Sequence, residues 1–175
     1  MPAVASASSI ADIGSGAGFP GLPLAIALPG ATVHLIESAR RKTDLIARLV
    51  RAAEISNAEP VNARAEEVAG DDGQAAYDVV TARAVAGLPV LLEYAAPLLV
   101  LGGTFVAWKG ARDPDEERAG WAAADLLGLE TGPVLEARPF AGSRDRHLYT
   151  YVKKAPTPPR FPRRPGMATK RPLSG

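Results

Sequence analysis

A glycine-rich turn between two apolar stretches constrains this chain more than any other feature. Residues 10–21 read Ile-Ala-Asp-Ile-Gly-Ser-Gly-Ala-Gly-Phe-Pro-Gly, so three glycines alternate directly after a short apolar run. Glycine lets the backbone turn tightly and approach a ligand closely, because it has no Cβ. Pro20 and Pro23 suit the first turn of a helix, where backbone N–H groups lack intrahelical partners. The pattern therefore predicts a strand, a turn and a helix.

An acid two residues before the first glycine indicates what kind of ligand the turn would hold. The dinucleotide fingerprint has the spacing G-x-G-x-x-G and places a pyrophosphate at the helix N-terminus. Here the spacing is G-x-G-x-G, and Asp12 would repel a pyrophosphate. An acid suits a cationic ligand, such as the sulfonium and amino groups of S-adenosylmethionine. The alternative is a tight strand-to-helix turn that binds no ligand.

Asp12 to Gly21 resembles the cofactor loop of the bacterial small-subunit ribosomal RNA guanine-N7 methyltransferases, the glucose-inhibited division protein B family. Phe19-Pro20-Gly21 makes this match more specific than one to a generic methyltransferase loop. The resemblance covers about residues 10–173. Its other matches, in order, are Ala65-Glu66, Lys109-Gly110, Arg146-His147 and the Pro/Arg-rich stretch 161–173. Family members carry several dozen residues before this loop and only eleven precede Asp12 here, so we expect the chain to lack the family's N-terminal part.

Glu37 follows the predicted second strand, nineteen residues after Gly18. An acid at this position can accept hydrogen bonds from ribose hydroxyls. Nicotinamide sites and methyl-donor sites both use such an acid, so Glu37 does not discriminate between them. The alternative is a surface acid paired with Arg40 or Arg41.

Arg83 follows the predicted fourth strand, at the edge where open α/β sheets bind ligands. The Asn/Asp-Pro-Pro-aromatic motif of many amino-group methyltransferases is missing here, and so is the cysteine that pyrimidine-carbon methyltransferases need. Guanine N7 fits what remains, because its in-plane lone pair needs no general base. Arg83 would bond guanine O6 or a phosphate, or touch the cofactor. A salt bridge to Asp78 or Glu93 is the structural alternative.

The resemblance implies the remaining site residues, with S-adenosylmethionine as cofactor. The expected cofactor-binding residues are Asp12, Gly14, Gly16, Phe19, Glu37, Ala65, Glu66 and Arg83. The residues expected to be catalytic, at the edge of the sheet where the RNA binds, are Arg83, Lys109 and Arg146. We therefore expect methylation of guanine N7 in 16S ribosomal RNA of the small ribosomal subunit.

Strands alternating with helices predict a mostly parallel sheet with right-handed crossovers. Helices are expected up to Leu28 and over 39–55, 87–99 and 113–129, and strands over 9–13, 32–36, 59–62, 77–82, 103–108, 134–140 and 147–152. The last two strands form an antiparallel hairpin. This arrangement matches the α/β Rossmann-like fold of class I S-adenosylmethionine-dependent methyltransferases, which we assign to residues 1–152.

Residues 153–175 form a Pro/Arg-rich tail, expected to be disordered or laid on the domain as an extended arm. The net charge of the chain is +1, but the tail carries seven cations and no acid, which leaves −6 for residues 1–152. This asymmetry predicts that the tail contacts RNA phosphates. Cofactor binding should then barely depend on the tail. The alternative is a solvated tail, or one packed on the domain for stability.

Several classes of protein are disfavoured. The chain has no cysteine, so a disulfide or a thiolate zinc site is excluded, and no His/Asp/Glu cluster resembles a metal site. No apolar run reaches the ~18 residues of a membrane helix. We expect a cytoplasmic monomer. Two rival functions remain: a nicotinamide-dependent oxidoreductase, whose glycine spacing and Tyr-Lys or His proton donor are not found, and a non-catalytic RNA-binding module.

Overall fold

The computed structural model describes residues 1–70, 73–138 and 140–173, which form a seven-stranded sheet in the order β3-β2-β1-β4-β5-β7-β6. Strands β1 to β5 run parallel, and β7 is antiparallel to both β5 and β6. The predicted parallel sheet with a closing hairpin is confirmed. The strands are β1 Ser9–Ile13, β2 Thr32–Ile36, β3 Ala58–Val61, β4 Tyr77–Arg83, β5 Leu99–Lys109, β6 Leu129–Glu136 and β7 His147–Lys153.

Helices cover both faces of this sheet. They are α1 Pro2–Ala5, α2 Gly21–Ala27, α3 Arg40–Ala52, α4 Ala65–Gly70, α5 Leu88–Ala95, α6 Pro114–Leu126 and α7 Met167–Lys170. Ile10 and Val79 belong to one apolar cluster, with α2 and α3, whereas Ala11 and Val80 belong to the other, with α4 to α7. Neighbouring strand residues alternate between clusters because successive side chains of a strand point to opposite faces.

Two strands begin four or more residues earlier than predicted. Strand β5 begins at Leu99 rather than at residue 103, because α5 already ends at Ala95 and Pro97 cannot donate the next helical hydrogen bond. Strand β6 begins at Leu129 rather than at residue 134, because α6 ends at Leu126 and Gly128, with φ of +76°, turns the chain into the strand. Of the predicted strand 134–140, Pro139 lies outside the described residues.

The tail lies on the domain, which is one of the two states that the sequence predicts for it. Phe161 and Ala168 are buried in the apolar cluster of α4 to α7. The predicted boundary is wrong at Lys153, which is the last residue of β7. Its ammonium group is buried and donates to the carbonyls of Ala96 at 2.8 Å and Leu127 at 3.2 Å. Burial lowers the pKa of Lys153 to about 8. Residues 174 and 175 lie outside the described part of the chain.

The described residues contain neither a membrane-spanning helix nor a cluster of metal-ligating side chains. No helix in residues 1–70, 73–138 and 140–173 is both long enough and apolar enough to cross a membrane. Within those ranges no three His, Asp or Glu side chains are grouped so that they could hold a metal ion.

Candidate active site

The glycine turn joins the end of β1 to α2 and is tied to the end of β2. The N–H of Gly14 donates to the carbonyl of Ile36 at 2.8 Å. Gly14 and Gly16 have φ values of +64° and +60°, a region that costs other residues about 1–2 kcal/mol. A Cβ on Gly14 would lie 2.5 Å from a methyl group of Val85, whereas a Cβ on Gly16 would meet no atom closer than 3.9 Å. The space over Gly16 is therefore open, as a ligand at this turn requires.

Asp12 lies at the base of the turn and is fully buried. Its Oδ2 accepts a hydrogen bond from the N–H of Gly21 at 3.0 Å. Its Oδ1 is buried without a hydrogen-bond partner in the described part of the chain. Burial raises the pKa of Asp12 to about 7, although the bond from Gly21, the nearby Ser15 hydroxyl and the charge of Arg83 lower it. A cationic ligand nearby would offset the free-energy cost of burying the charged carboxylate. Direct contact between Asp12 and a ligand stays a prediction.

Glu37 directly follows β2 and holds two backbone segments together. Its Oε2 accepts from the N–H of Gly16 at 3.1 Å, and its Oε1 accepts from the N–H of Ala39 at 2.8 Å. The carboxylate thus links the glycine turn to the start of α3. Each carboxylate oxygen has a second lone pair, which a ribose hydroxyl can use. The sequence predicted the ribose role of Glu37, which remains a prediction, but missed its link to the turn.

A cleft opens beside the turn, where β1 and β2 end and α4 begins. Its cavity volume is about 150 Å³, below the range of about 300–1,000 Å³ typical of small-molecule sites, so the cleft would enclose only part of a ligand of that size. The predicted residues Gly14, Ala65 and Glu66 line it. Its other lining residues are Ile13, Ile36, Ser38, Ala63, Arg64, Val85 and Tyr94. The fold therefore brings together residues that lie up to 81 positions apart in the sequence, Ile13 and Tyr94.

Arg83 and Phe19 form a pair outside this lining. The Arg83 guanidinium lies 5.7 Å from the centroid of the Phe19 ring, within the range of a cation–π contact. Phe19 is 49% exposed, and Arg83 is exposed at the end of β4. Among the described residues Arg83 has no ion-pair partner, since Asp78 accepts from the N–H groups of Ser8 and Ser9 and Glu93 binds a different arginine. The structural alternative, a salt bridge from Arg83 to Asp78 or Glu93, is therefore wrong.

Lys109 ends β5 at the same edge, but its ammonium group is already bound. Its Nζ lies 2.6 Å from Oε1 of Glu116, in the first turn of α6. The same oxygen accepts from the N–H of Leu88 at 2.8 Å, so Lys109 and Glu116 hold the starts of α5 and α6 together. Its predicted contact with RNA stays a prediction, and that contact would have to compete with Glu116.

Arg146 is exposed immediately before β7 and donates to the carbonyl of Asp145 at 3.1 Å. The next residue, His147, pairs with Lys109 across the sheet, and Arg83 pairs with Trp108. Arg83, Lys109 and Arg146 therefore share one edge of the sheet. The sequence predicted this placement because the carboxyl ends of parallel strands meet at one edge.

A tyrosine and a tail glycine at the cleft were missed by the sequence reasoning. Tyr94 lines the cleft, and Glu66 accepts a hydrogen bond from the N–H of Gly166 at 3.0 Å. Glu66 lies on α4 and Tyr94 lies on α5, and both helices contact residues of the tail. One signal could have shown this: the acid Glu93 within the apolar helix α5, because a buried carboxylate needs a hydrogen-bonded cation.

Sequence comparisons place this chain in a known family. The sequence model of the family described as rRNA small subunit methyltransferase G (GidB) matches residues 1–148. A ribosomal RNA small subunit methyltransferase G from Rubrobacter xylanophilus is 45% identical over 174 residues, which cover 97% of this chain and 67% of the relative. The protein of the same name from Desulfitobacterium hafniense is 41% identical over 165 residues, covering 94% of this chain and 69% of the relative.

Solved structures agree on the fold. A SAM-dependent methyltransferase from Aquifex aeolicus matches with a TM-score of 0.64 and 16% identity, over 83% of this chain and 82% of the other. The fibrillarin pre-rRNA processing protein of Methanococcus jannaschii matches with a TM-score of 0.69 and 20% identity, over 89% of this chain and 70% of the other. The fold is that of the class I S-adenosylmethionine-dependent methyltransferases, as predicted. The family model and the relatives at 41–45% identity show that the chain belongs to the rRNA small subunit methyltransferase G family.

Proposed function

We propose that this chain transfers a methyl group from S-adenosylmethionine to N7 of a guanine in the 16S ribosomal RNA of the small ribosomal subunit. The observation that carries the proposal is the open space over Gly16, which is bonded to Glu37, beside a cleft lined by Gly14 and Glu66. The relatives named above supply the class of substrate.

Residues of the glycine turn, of the strand ends beside it and of the cleft fit the parts of this cofactor. Its ribose has two hydroxyl groups, and Glu37 retains lone pairs to accept them. Its methionine end carries positive charge, and Asp12 has a buried oxygen without a partner in the described chain. By resemblance to the family, Ala65 and Glu66 would hold the adenine. When bound, the cofactor supplies a methyl group activated by a sulfonium.

The chain's own residues need only position the reactants. The N7 lone pair forms the new bond to the methyl carbon while the bond from sulfur to that carbon breaks. No proton leaves N7, so no side chain acts as general base, and correct placement supplies the rate. Arg83 lies exposed at the edge of the sheet, where it would donate to guanine O6 or to a phosphate.

The cationic edge suits an RNA substrate. Arg83 and Arg146 are exposed there, and arginine forms bidentate hydrogen bonds with phosphate. Phosphate contacts hold a nucleic acid in register, while contacts to the base select it. An exposed Phe19 ring beside Arg83 adds an apolar surface on which a base can stack.

Two measurements test the proposal. Calorimetry with S-adenosylhomocysteine and with NAD should give binding of the first only, and micromolar NAD binding without S-adenosylhomocysteine binding would favour the oxidoreductase. Tritiated S-adenosylmethionine should then label small subunits that lack the modification, with strand cleavage at the labelled guanine after borohydride and aniline treatment. Binding of S-adenosylhomocysteine and RNA without any methyl transfer would instead favour the non-catalytic RNA-binding module.

A further inference from the structure

The end of the chain packs against the two helices that wall the cleft. Residues 161–173, which we call the C-terminal strap, include the buried residues Phe161 and Ala168 and the partly buried Leu173. Helices α4 and α5 lie beneath it, and α7 of the strap contacts α5. The strap thus lies against the elements that supply Glu66 and Tyr94 to the cleft.

The first contact joins the strap directly to a cleft residue. The N–H of Gly166 donates to Oε1 of Glu66 at 3.0 Å, and Glu66 is 7% exposed. A hydrogen bond to a carboxylate is stronger than one between neutral groups, and it fixes the rotamer of the acid. Gly166 has φ of +81°, so its backbone takes a conformation that glycine favours.

The second contact anchors the strap. Glu93 of α5 is 1% exposed, and its carboxylate accepts hydrogen bonds from Nε of Arg163 at 2.8 Å and from Nη2 at 2.5 Å. The backbone N–H of Arg163 donates to the same carboxylate at 3.1 Å. Nη2 also reaches the carbonyl of Arg171 at 2.8 Å, which closes the strap on itself. Removing Arg163 would leave the Glu93 carboxylate buried without a cation, and this would strongly destabilise the folded chain.

The third contact joins the strap to Tyr94, the cleft residue on α5. The hydroxyl groups of Tyr94 and Thr169 lie 3.1 Å apart, within hydrogen-bond distance. Tyr94 follows Glu93 directly in α5 and lines the cleft. Glu66 and Tyr94 are thus both bonded to the strap, and neither contact uses a tail cation that an RNA phosphate would need.

We propose that the C-terminal strap is a positioning element for the cofactor cleft: through Gly166 and Thr169 it holds Glu66 and Tyr94 in the geometry that binds S-adenosylmethionine. This inference rests on the proposed function, because it takes the cleft to be the cofactor site. Cofactor binding and order in the strap are then coupled, and the coupling acts equally in both directions.

The decisive variant changes the strap without touching the cleft. Gly166→Ala adds a Cβ that meets no atom within 4 Å, but its positive φ strains the backbone and displaces the N–H from Glu66. Gly102→Ala is a matched control, because Gly102 has φ of +83°, equally open space and a position in β5. We expect Gly166→Ala to weaken S-adenosylhomocysteine binding at least about fivefold, the lower end of typical coupling, and Gly102→Ala to change it less than about twofold.

Thr169→Val gives an independent variant, because it removes only the hydroxyl that contacts Tyr94. It should weaken S-adenosylhomocysteine binding by about two- to fivefold, the loss of one hydrogen bond. In the unaltered chain, S-adenosylhomocysteine should slow amide hydrogen exchange in residues 161–173 and leave exchange around Gly102 in β5 unchanged. Hydrogen exchange reports on the strap without requiring activity.

The outcomes separate this proposal from the one on which it rests. The unaltered chain could bind S-adenosylhomocysteine while Gly166→Ala binds it with the same affinity and exchange in the strap does not change. That result would overturn the positioning role alone. Equal losses of affinity in Gly166→Ala and Gly102→Ala would also overturn it, because they would reflect general destabilisation. An unaltered, folded chain that binds no S-adenosylhomocysteine would refute the cofactor assignment itself.

Discussion

Replacing Asp12 by Asn should make the folded chain more stable while weakening its binding of the cofactor. The Asp12 carboxyl is fully buried, and burial raises its pKa from 3.8 to about 7. The folded chain therefore binds this proton more tightly than the unfolded chain does. Between these two pKa values the free energy of unfolding must fall as the pH rises. Asn keeps an oxygen for the N–H of Gly21 but carries no charge.

The size of the effect follows from the same two pKa values. At pH 8 the charged carboxylate costs the folded state about 4 kcal/mol, at about 1.4 kcal/mol per pKa unit. At pH 5.5 the folded carboxyl is mostly protonated, and the cost falls to about 2 kcal/mol. The stability gained in Asp12→Asn should therefore shrink by about 2 kcal/mol between pH 8 and pH 5.5. S-adenosylhomocysteine retains an ammonium group, so loss of the Asp12 charge should weaken its binding.

Urea unfolding of both chains at pH 5.5 and pH 8, followed by calorimetry with S-adenosylhomocysteine, measures both effects. The difference between the two chains cancels the titration of all groups that they share. The reasoning about Asp12 fails if Asp12→Asn is less stable than the unaltered chain at pH 8. It also fails if the difference in stability does not depend on pH. A more stable variant that binds the ligand normally would show that Asp12 strains the fold without serving the cofactor.

Three further predictions concern the turn, the edge and the tail. Gly16→Val should abolish S-adenosylhomocysteine binding, because its side chain fills the open space over the turn, while Gly102→Val controls for the same backbone strain and should bind normally in calorimetry. Arg83→Ala should lower methyl transfer at least about 100-fold with little change in melting temperature, since the side chain is exposed; early melting with normal specific activity would instead indicate a structural role. Replacing Arg164 and Lys170 by Gln should flatten the slope of log K for RNA against log salt by about 1.4, at about 0.7 per phosphate contact; an unchanged slope would mean that neither touches a phosphate.

The glycine turn and the ends of the strands could be predicted from sequence because their signals are local. Asp12, the alternating glycines and the prolines stand within twelve consecutive residues, and each reports a backbone requirement of one turn. Glu37 and Arg83 could be placed as well, because both directly follow short β-rich runs. For parallel strands, an end of a strand is also a position at the ligand edge.

The partners of those residues could not be predicted, because they come from distant parts of the chain. The acidic first turn of α6 is explained in sequence by the helix dipole, and nothing there shows that Glu116 binds Lys109. Likewise Glu37 looks like an isolated acid, although its carboxylate accepts the N–H of Gly16, twenty-one residues earlier. Such contacts depend on how helices return to the sheet, which hydrophobic patterns leave open.

The tail shows most clearly how charge in a sequence differs from charge on a surface. Its seven cations look equivalent in sequence, and the net charge of +7 predicts a segment devoted to RNA. In the structure Lys153 is buried, Arg163 is bonded to Glu93, and Lys154 lies 3.5 Å from Glu130. The exposed tail cations that form no ion pair within the described residues are Arg160, Arg164, Lys170 and Arg171. The sequence also predicted that cofactor binding would barely depend on the tail, and the bond from Gly166 to Glu66 leads us to expect the opposite.

The tail cations bonded to the domain and the exposed tail cations have different physical roles. A buried carboxylate such as Glu93 needs a hydrogen-bonded cation, so Arg163 is committed to the fold whatever the chain binds. The exposed cations bear no such constraint, and their attraction to phosphate is screened by salt. Helix α3 presents a comparable exposed set, with Arg41, Arg48 and Arg51 lining one surface groove. Affinity for RNA should therefore depend on salt through both surfaces, whereas the anchoring of the strap through the nearly buried Glu93 should depend on it little.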